Sequence, residues 1–208
     1  MEIILDVGSG NTLKDMDTAR RMVDEIKAID TGKHTIIFKA QLFENQPPNV
    51  PLHRGIFGYL YEYANEQGYK CTASVFDKES LNYLLRFEVP FIKIACRPEL
   101  YWLIGEIPRK IKVYVSGTNQ QAEAYFHPDT KIIGMFCVPK YPALFSEYDQ
   151  YLTDIEEYAI SDHSPGIELI KKHHNTISIW EKHLKLPESI GPDAGSFAIT
   201  PKELRSIL

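Results

Sequence analysis

The sequence lacks long hydrophobic runs: no apolar stretch approaches the roughly 20 residues that a membrane-spanning helix needs. This argues against an integral membrane protein. The N-terminal stretch Met1–Asp6 is acidic and lacks the basic flank of a signal peptide. Together these absences predict a cytoplasmic protein.

Cysteine is scarce, and positive charge is not in excess. The three cysteines, Cys71, Cys96 and Cys137, are widely spaced and match neither a disulfide framework nor a zinc site. We therefore expect reduced thiols near the core. The net charge of −5 argues against nucleic-acid binding, which requires a basic face. A small anionic ligand is not excluded, because a few lysines in one cleft can outweigh the global charge.

What the sequence does contain is an alternation of β-rich and helical stretches. The 208 residues are 44% hydrophobic, which suits one domain spanning 1–208. Strands are predicted over 2–7, 35–40, 70–74, 91–95, 111–115, 131–137, 158–160 and 176–180. Helices are predicted over about 15–29, 55–67, 78–87, 99–106, 120–126, 148–154, 166–173 and from Thr200, where Thr200–Glu203 forms a capping box.

Eight βα units predict a compact (β/α)8 TIM barrel, an α/β fold. The alternative is an open, doubly wound sheet. That fold usually has fewer strands, and Gly8-Ser-Gly10 lacks the third glycine of a dinucleotide-binding loop.

Polar residues end every predicted strand, and in such a barrel these ends form one rim. Lys93 lies inside an apolar strand, where an ammonium group needs a fixed anion. One interpretation is a ligand phosphate or carboxylate bound jointly with Lys39. The other is a structural ion pair with Asp6, Asp77 or another core acid.

Two histidines end neighbouring strands seven and eight. His163 and His183 could converge on one divalent ion, with Asp162, Glu181 or Asp193 orienting their rings. Alternatively they are unrelated histidines.

Two further groups near the rim are as well explained by structure as by chemistry. Ser116-Gly-Thr118 could offer backbone N–H groups to a phosphate, but an ordinary turn accounts for it equally. Tyr141 and Tyr148 belong to an aromatic cluster that is typical of packing.

Several motifs recur in the order found in one enzyme family. They are Phe38-Lys39-Ala-Gln41, Phe76-Asp77, Phe91-Ile-Lys93-Ile-Ala-Cys96, Ser161-Asp-His163-Ser-Pro-Gly166, Trp180-Glu-Lys-His183 and Gly191-Pro-Asp193 followed by Thr200-Pro-Lys-Glu-Leu204. Together they resemble the catalytic domain of the N-acetylneuraminate (sialic acid) synthases. We expect the chain to correspond to that domain alone, without the C-terminal antifreeze-like domain of the family.

The resemblance implies a barrel that condenses phosphoenolpyruvate with the aldehyde of an N-acetylated amino sugar. It implies catalytic roles for Asp6, Lys39 and Lys93. It implies substrate contacts for Gln41, Asp77, Ser116, Tyr141, Ser161 and Asp193. It also implies that His163 and His183 bind a divalent metal, manganese or magnesium, which acts as a Lewis acid, and that the chain forms a homodimer.

The sequence departs from the family pattern at several positions. Asp6 stands where the family has Glu, Cys96 replaces a serine, and Pro139 replaces a polar residue. These departures leave two alternatives open. One is a non-catalytic barrel that binds an anion or sugar, and the other is a different metal-dependent aldolase or lyase.

Overall fold

In the computed structural model, which describes residues 1–118, 132–152 and 157–208, parallel strands pair in chain order and close into a barrel. The strands are β1 (Glu2–Gly8), β2 (Thr35–Leu42), β3 (Lys70–Val75), β4 (Ile92–Ile94), β5 (Val113–Gly117), β6 (Ile132–Cys137), β7 (Tyr158–Asp162) and β8 (Ile177–His183). The barrel closes through β1 and β8, where Asp6 is paired with His183. The predicted (β/α)8 fold is confirmed, and the open-sheet alternative is excluded.

Helices connect the strands on the outside of the barrel. They are α1 (Met16–Lys27), α2 (Arg54–Glu66), α3 (Lys78–Leu84), α4 (Phe145–Asp149), α5 (Glu168–His173) and α6 (Pro201–Leu204), with 3₁₀ helices at Pro98–Glu106 and Pro192–Ala194. The predicted helix over 120–126 lies outside the described residues. No helix in the described ranges is long and apolar enough to cross a membrane.

Local sequence explains where these helices begin and which face they bury. Asp15 caps α1, its carboxylate accepting from Thr18 N at 2.7 Å. Ala19, Val23 and Ile26, spaced three or four residues apart, lie on one side of α1 and are fully buried. The predicted capping box Thr200–Glu203 is present at the start of α6.

Alternate residues of each strand face opposite sides, which creates two cores. Ile3, Leu5 and Val7 of β1 face outward and pack under the helices. Ile4 faces inward and joins a second apolar layer made of Ile37, Phe91, Tyr114 and Met135. The rings of Phe91 and Tyr114 stack in this layer with centroids 4.2 Å apart. The inner layer therefore fills the barrel below the strands' C-terminal ends.

Candidate functional site

A cavity of about 400 Å³ lies above this apolar layer, at the C-terminal ends of the strands. Every site residue predicted from the sequence except Asp77 lines it. The reason is again the two-residue period of a strand. Inward-facing positions change from apolar to polar along each strand, as in β1, where Ile4 is followed by Asp6.

Lys39 is held on one side of this cavity by two fixed acceptors. Its Nζ donates to Asp6 Oδ2 at 2.6 Å and to Ser74 Oγ at 2.7 Å, and Glu181 Oε1 lies 3.9 Å away. Burial opposes the charged form, but Asp6 and Glu181 outweigh it and raise the pKa of Lys39. This ammonium group is therefore charged and immobile.

Lys93 is held in the same manner by one acceptor on the neighbouring strand β5 and one on β8. Its Nζ donates to Ser116 Oγ at 2.7 Å and to Glu181 Oε1 at 3.2 Å. The same Oε1 accepts from Ser161 Oγ at 3.0 Å. Glu181 Oε2 is buried and has no hydrogen-bond partner within the described part of the chain. A buried carboxylate oxygen in this state is an acceptor ready for a donor from a ligand or water.

Asp6 connects Lys39 to the other half of the cavity. Gln41 Nε2 donates to Asp6 Oδ2 at 3.1 Å and to Asp193 Oδ1 at 3.4 Å, while Ser9 Oγ donates to Asp193 Oδ2 at 3.0 Å. Burial raises the pKa of Asp6, but Lys39 and His183 outweigh it and hold the pKa well below its usual range. Asp6 is thus an ionised acceptor.

The two predicted histidine ligands lie side by side. The ring centroids of His163 and His183 are 5.7 Å apart, and both rings line the cavity. His163 Nδ1 lies 2.9 Å from Val138 O, which makes Nδ1 the protonated nitrogen and leaves a lone pair on Nε2. Burial, followed by the neighbouring His183, lowers the pKa of His163 to about 3. His163 is therefore neutral, the form that binds metals.

These residues fit a divalent metal that takes its remaining ligands from water or substrate. No group of three or more His, Cys, Asp or Glu side chains in the described residues could hold a metal ion by itself. His183 Nδ1 is buried without a hydrogen-bond partner in those same residues. The bond between His163 and a backbone carbonyl is the usual outer contact of a metal-binding imidazole.

The two tyrosines after β6 take different positions. Tyr141 is 58% exposed at the mouth of the cavity, and its ring lies 4.0 Å from that of His163. Tyr148 is fully buried. Its hydroxyl donates to Ser161 O at 2.8 Å and accepts from the amide of His163 at 3.0 Å. Tyr148 therefore fixes the backbone at Ser161 and His163 from outside the cavity, whereas Tyr141 lines the cavity.

Two acids do not lie where the sequence interpretation put them. Asp77 caps α3, accepting from Ser80 N at 2.7 Å and from Glu44 N at 2.8 Å, and it does not line the cavity. Asp162 faces outward and bonds to Lys182, so it does not orient the His163 ring. Neighbouring strand positions face opposite sides, which is why Asp162 and His163 diverge.

Sequence reasoning gave no role in the site to Ser74, Cys137 or Arg97, all of which line the cavity. It considered Glu181 only as a partner for the imidazoles, whereas the hydrogen bonds of Glu181 go to Lys93 and Ser161. The position of Glu181 in the cavity could have been predicted, because Glu181 precedes His183 by two residues on β8 and such residues face the same side of a strand. No pattern predicted its pairing with Lys93, since that contact joins β4 to β8 across the barrel.

Comparisons with known proteins identify a family and structures of similar fold. The family model described as NeuB matches residues 49–208. No curated protein sequence matches the chain.

Several solved structures superpose over almost the whole chain. N-acetylneuraminic acid (sialic acid) synthetase from Leptospira borgpetersenii, in complex with citrate, has 26% identity and a TM-score of 0.75, covering 99% of this chain and 80% of that one. A spore coat polysaccharide biosynthesis protein E from Chromobacterium violaceum has 17% identity and a TM-score of 0.76, covering 99% and 72%. Its counterpart from Bacillus subtilis has 19% identity and a TM-score of 0.72, covering 99% and 65%.

Proposed function

Because the chain belongs to the NeuB family, we propose that it condenses phosphoenolpyruvate with the aldehyde of an N-acetylated amino sugar. The observation that carries this proposal is the pair of buried lysines, Lys39 and Lys93, facing the same cavity as two adjacent imidazoles. The 26% identity to a sialic acid synthetase supports the same reaction class.

The charges of the cavity favour a small anion accompanied by a cation. The charged side chains that line it are Asp6, Glu181, Asp193, Lys39, Lys93 and Arg97. Apart from the two imidazoles, three negative charges balance three positive charges. Phosphoenolpyruvate carries about three negative charges, from a phosphate group and a carboxylate. A divalent metal would offset two of them, which supports joint binding of metal and phosphoenolpyruvate.

The two halves of the cavity suit the two proposed substrates. The lysine half supplies fixed N–H donors for a phosphate and a carboxylate, together with the hydroxyl of Ser116, which accepts from Lys93 and can donate to a ligand. The Ser161 hydroxyl lies beside them and donates to Glu181. The half with Asp6, Gln41 and Asp193 supplies acceptors and an amide suited to sugar hydroxyls. Such a division would hold the reacting carbons close together.

His163 and His183 would hold the metal, manganese or magnesium. A divalent ion at this place would act as a Lewis acid on the sugar aldehyde. Asp6, kept ionised by Lys39, is suited to orient a hydroxyl group or a water molecule.

The proposed reaction balances without any further reagent. Carbon 3 of phosphoenolpyruvate forms a bond to the aldehyde carbon, whose oxygen becomes a hydroxyl group. Water adds its oxygen at carbon 2, and the bond from carbon 2 to the phosphate oxygen breaks. The products are inorganic phosphate and a 2-keto acid longer by three carbons.

The test is phosphate release by the full chain with manganese, phosphoenolpyruvate and a panel of N-acetylated amino sugars. A chemical assay for the 2-keto acid should give equal amounts of product. Lys93→Met should reduce kcat/KM by about 10- to 100-fold, because it removes a charged hydrogen-bond donor. Lys171→Met is the matched control, since Lys171 is an exposed lysine on α5. Absence of phosphate release with every acceptor, despite manganese binding, would contradict the proposal.

One observation favours a second candidate, an anion-binding barrel without turnover. Both lysines are already neutralised by Asp6 and Glu181, so an anion must compete with internal partners. In that case phosphoenolpyruvate should raise the melting temperature without phosphate release.

A further inference from the structure

Among the lysine and arginine side chains that line the cavity in the described residues, Arg97 differs in both position and partners. Arg97 follows β4 by three residues, and its side chain is 42% exposed. The side chains of Lys39 and Lys93 are only 1% and 3% exposed. Arg97 therefore lies at the opening of the cavity, whereas the two lysines lie inside it.

The guanidinium group of Arg97 is held in place by three neighbours. Its Nη1 donates to Gln46 Oε1 at 2.8 Å, and its Nε donates to Glu99 Oε1 at 2.8 Å. Its Cζ lies 6.0 Å from the centroid of the Phe76 ring. These hydrogen bonds use two of the five N–H groups of a guanidinium, and Nη2 has no hydrogen-bond partner in the part of the chain that the structure describes. Arg97 is therefore oriented in advance and keeps donors for a ligand.

The carboxylate that pairs with Arg97 competes only weakly with a ligand. Glu99 is 59% exposed, and an ion pair between exposed groups contributes little free energy in water. The two lysines are instead paired with the buried carboxylates of Asp6 and Glu181, and breaking such a pair is costly. An incoming anion therefore meets less internal competition at Arg97 than at either lysine.

The position of Arg97 around the barrel indicates which part of a ligand it meets. Gln46, Phe76 and Arg97 follow β2, β3 and β4, on the side of the barrel that carries the two lysines. His163 and His183 lie at the ends of β7 and β8, which are opposite β3 and β4 in the closed order of strands. In the proposed function the aldehyde lies at the imidazoles, so carbon 3 of phosphoenolpyruvate points toward them. The phosphate, the longer of the two anionic groups on carbon 2, then extends toward Arg97.

We propose that Arg97 is a further substrate-binding residue, which holds the phosphate group of phosphoenolpyruvate at the opening of the cavity. The identity of this anion rests on the proposed function. The planar guanidinium group offers paired N–H donors that match two phosphate oxygens. Although both lysines are already neutralised, Arg97 supplies a positive charge whose own partner is exposed. The same contact leaves the phosphate product next to the opening of the cavity.

The test is isothermal titration calorimetry of the full chain with two probes, phosphoenolpyruvate and inorganic phosphate, in the presence of magnesium. Arg97→Gln should weaken the binding of both probes by about 10- to 100-fold, because it removes a charged hydrogen-bond donor. Arg20→Gln is the matched control, since Arg20 also bonds to exposed carboxylates but lies on α1 and does not line the cavity. This control should bind both probes as the unaltered chain does.

Glu99→Gln changes the same place in the opposite direction. Removing the competing carboxylate should tighten the binding of both probes by about 2- to 5-fold, which corresponds to the free energy of an exposed ion pair. Without ligand, Arg97→Gln and Glu99→Gln should unfold at the temperature of the unaltered chain, because their ion pair is exposed.

The outcomes separate this inference from the proposed function, since binding is measured without turnover. If Arg97→Gln binds inorganic phosphate as tightly as the unaltered chain, or if Glu99→Gln binds it no more tightly, the inference is overturned and the proposed function stands. If the unaltered chain binds neither probe, both are overturned. If both variants change as expected, the inference holds even when no acceptor sugar supports phosphate release.

Discussion

Replacing Lys182 with methionine should destabilise the fold severely, although Lys182 does not line the cavity. Lys182 and Asp162 lie opposite each other on β8 and β7, face outward, and are both fully buried. Lys182 Nζ donates to Asp162 Oδ2 at 3.0 Å and also to Ser164 O. Burial lowers the pKa of Lys182, and Asp162 opposes this effect.

The magnitude follows from the charge that the substitution leaves behind. Methionine fills a similar volume but leaves the Asp162 carboxylate buried without a counterion, which typically costs about 3 to 5 kcal/mol. Trp180 Nε1 at 3.0 Å and Ser164 N at 2.8 Å still donate to Asp162, which favours the lower part of this range. For a chain of this size, a loss of about 3 kcal/mol lowers the melting temperature by roughly 6 to 12 °C.

Urea denaturation and calorimetry of a double-mutant cycle measure this effect. Lys182→Met and Asp162→Asn should each be strongly destabilised, and the double variant should lose about 2 kcal/mol less than the sum of the two. Arg20→Met is the control, because its pair with Asp24 is exposed on α1 and should contribute nothing measurable. If Lys182→Met loses less than about 1 kcal/mol, the assignment of a buried, charged pair is refuted.

Tyr148→Phe leaves the amide of His163 without its acceptor and should cost about 1 to 3 kcal/mol in urea unfolding, and an unchanged midpoint would contradict this. Thr200→Ala removes the cap of α6 and should cost about 1 kcal/mol by the same measurement, with Thr200→Ser as the conservative control that should retain the cap. The alkylation rate of Cys96 should rise as the pH increases through about 7 and level off above it, because the thiolate is the reactive form. Over this pH range Cys71 should stay unreactive, and equal pH profiles for the two thiols would refute the assignment.

The sequence by itself determined the barrel and most of the residues of its cavity. Segments with a hydrophobic period of two residues alternate with segments of period 3.6, and this pattern predicts eight βα units. The C-terminal ends of the strands of such a barrel lie at one rim, independently of the loop sequences. This is why Lys39, Lys93, His163 and His183 could be placed at one rim from sequence position alone. The same alternation also indicates that Asp162 faces away from His163.

Only the tertiary structure decided which polar groups contact one another across the barrel. Lys93 on β4 bonds to Glu181 on β8, and Gln41 on β2 bonds to Asp193 in the loop after β8. Asp77, two residues beyond β3, turns to cap α3 instead of facing the cavity. The hydrophobic period of the sequence shows which side of one strand a residue faces, but not which residue of another strand it contacts. Those contacts depend on how the sheet curves and closes, and the position of Asp77 depends on the path of the chain after β3.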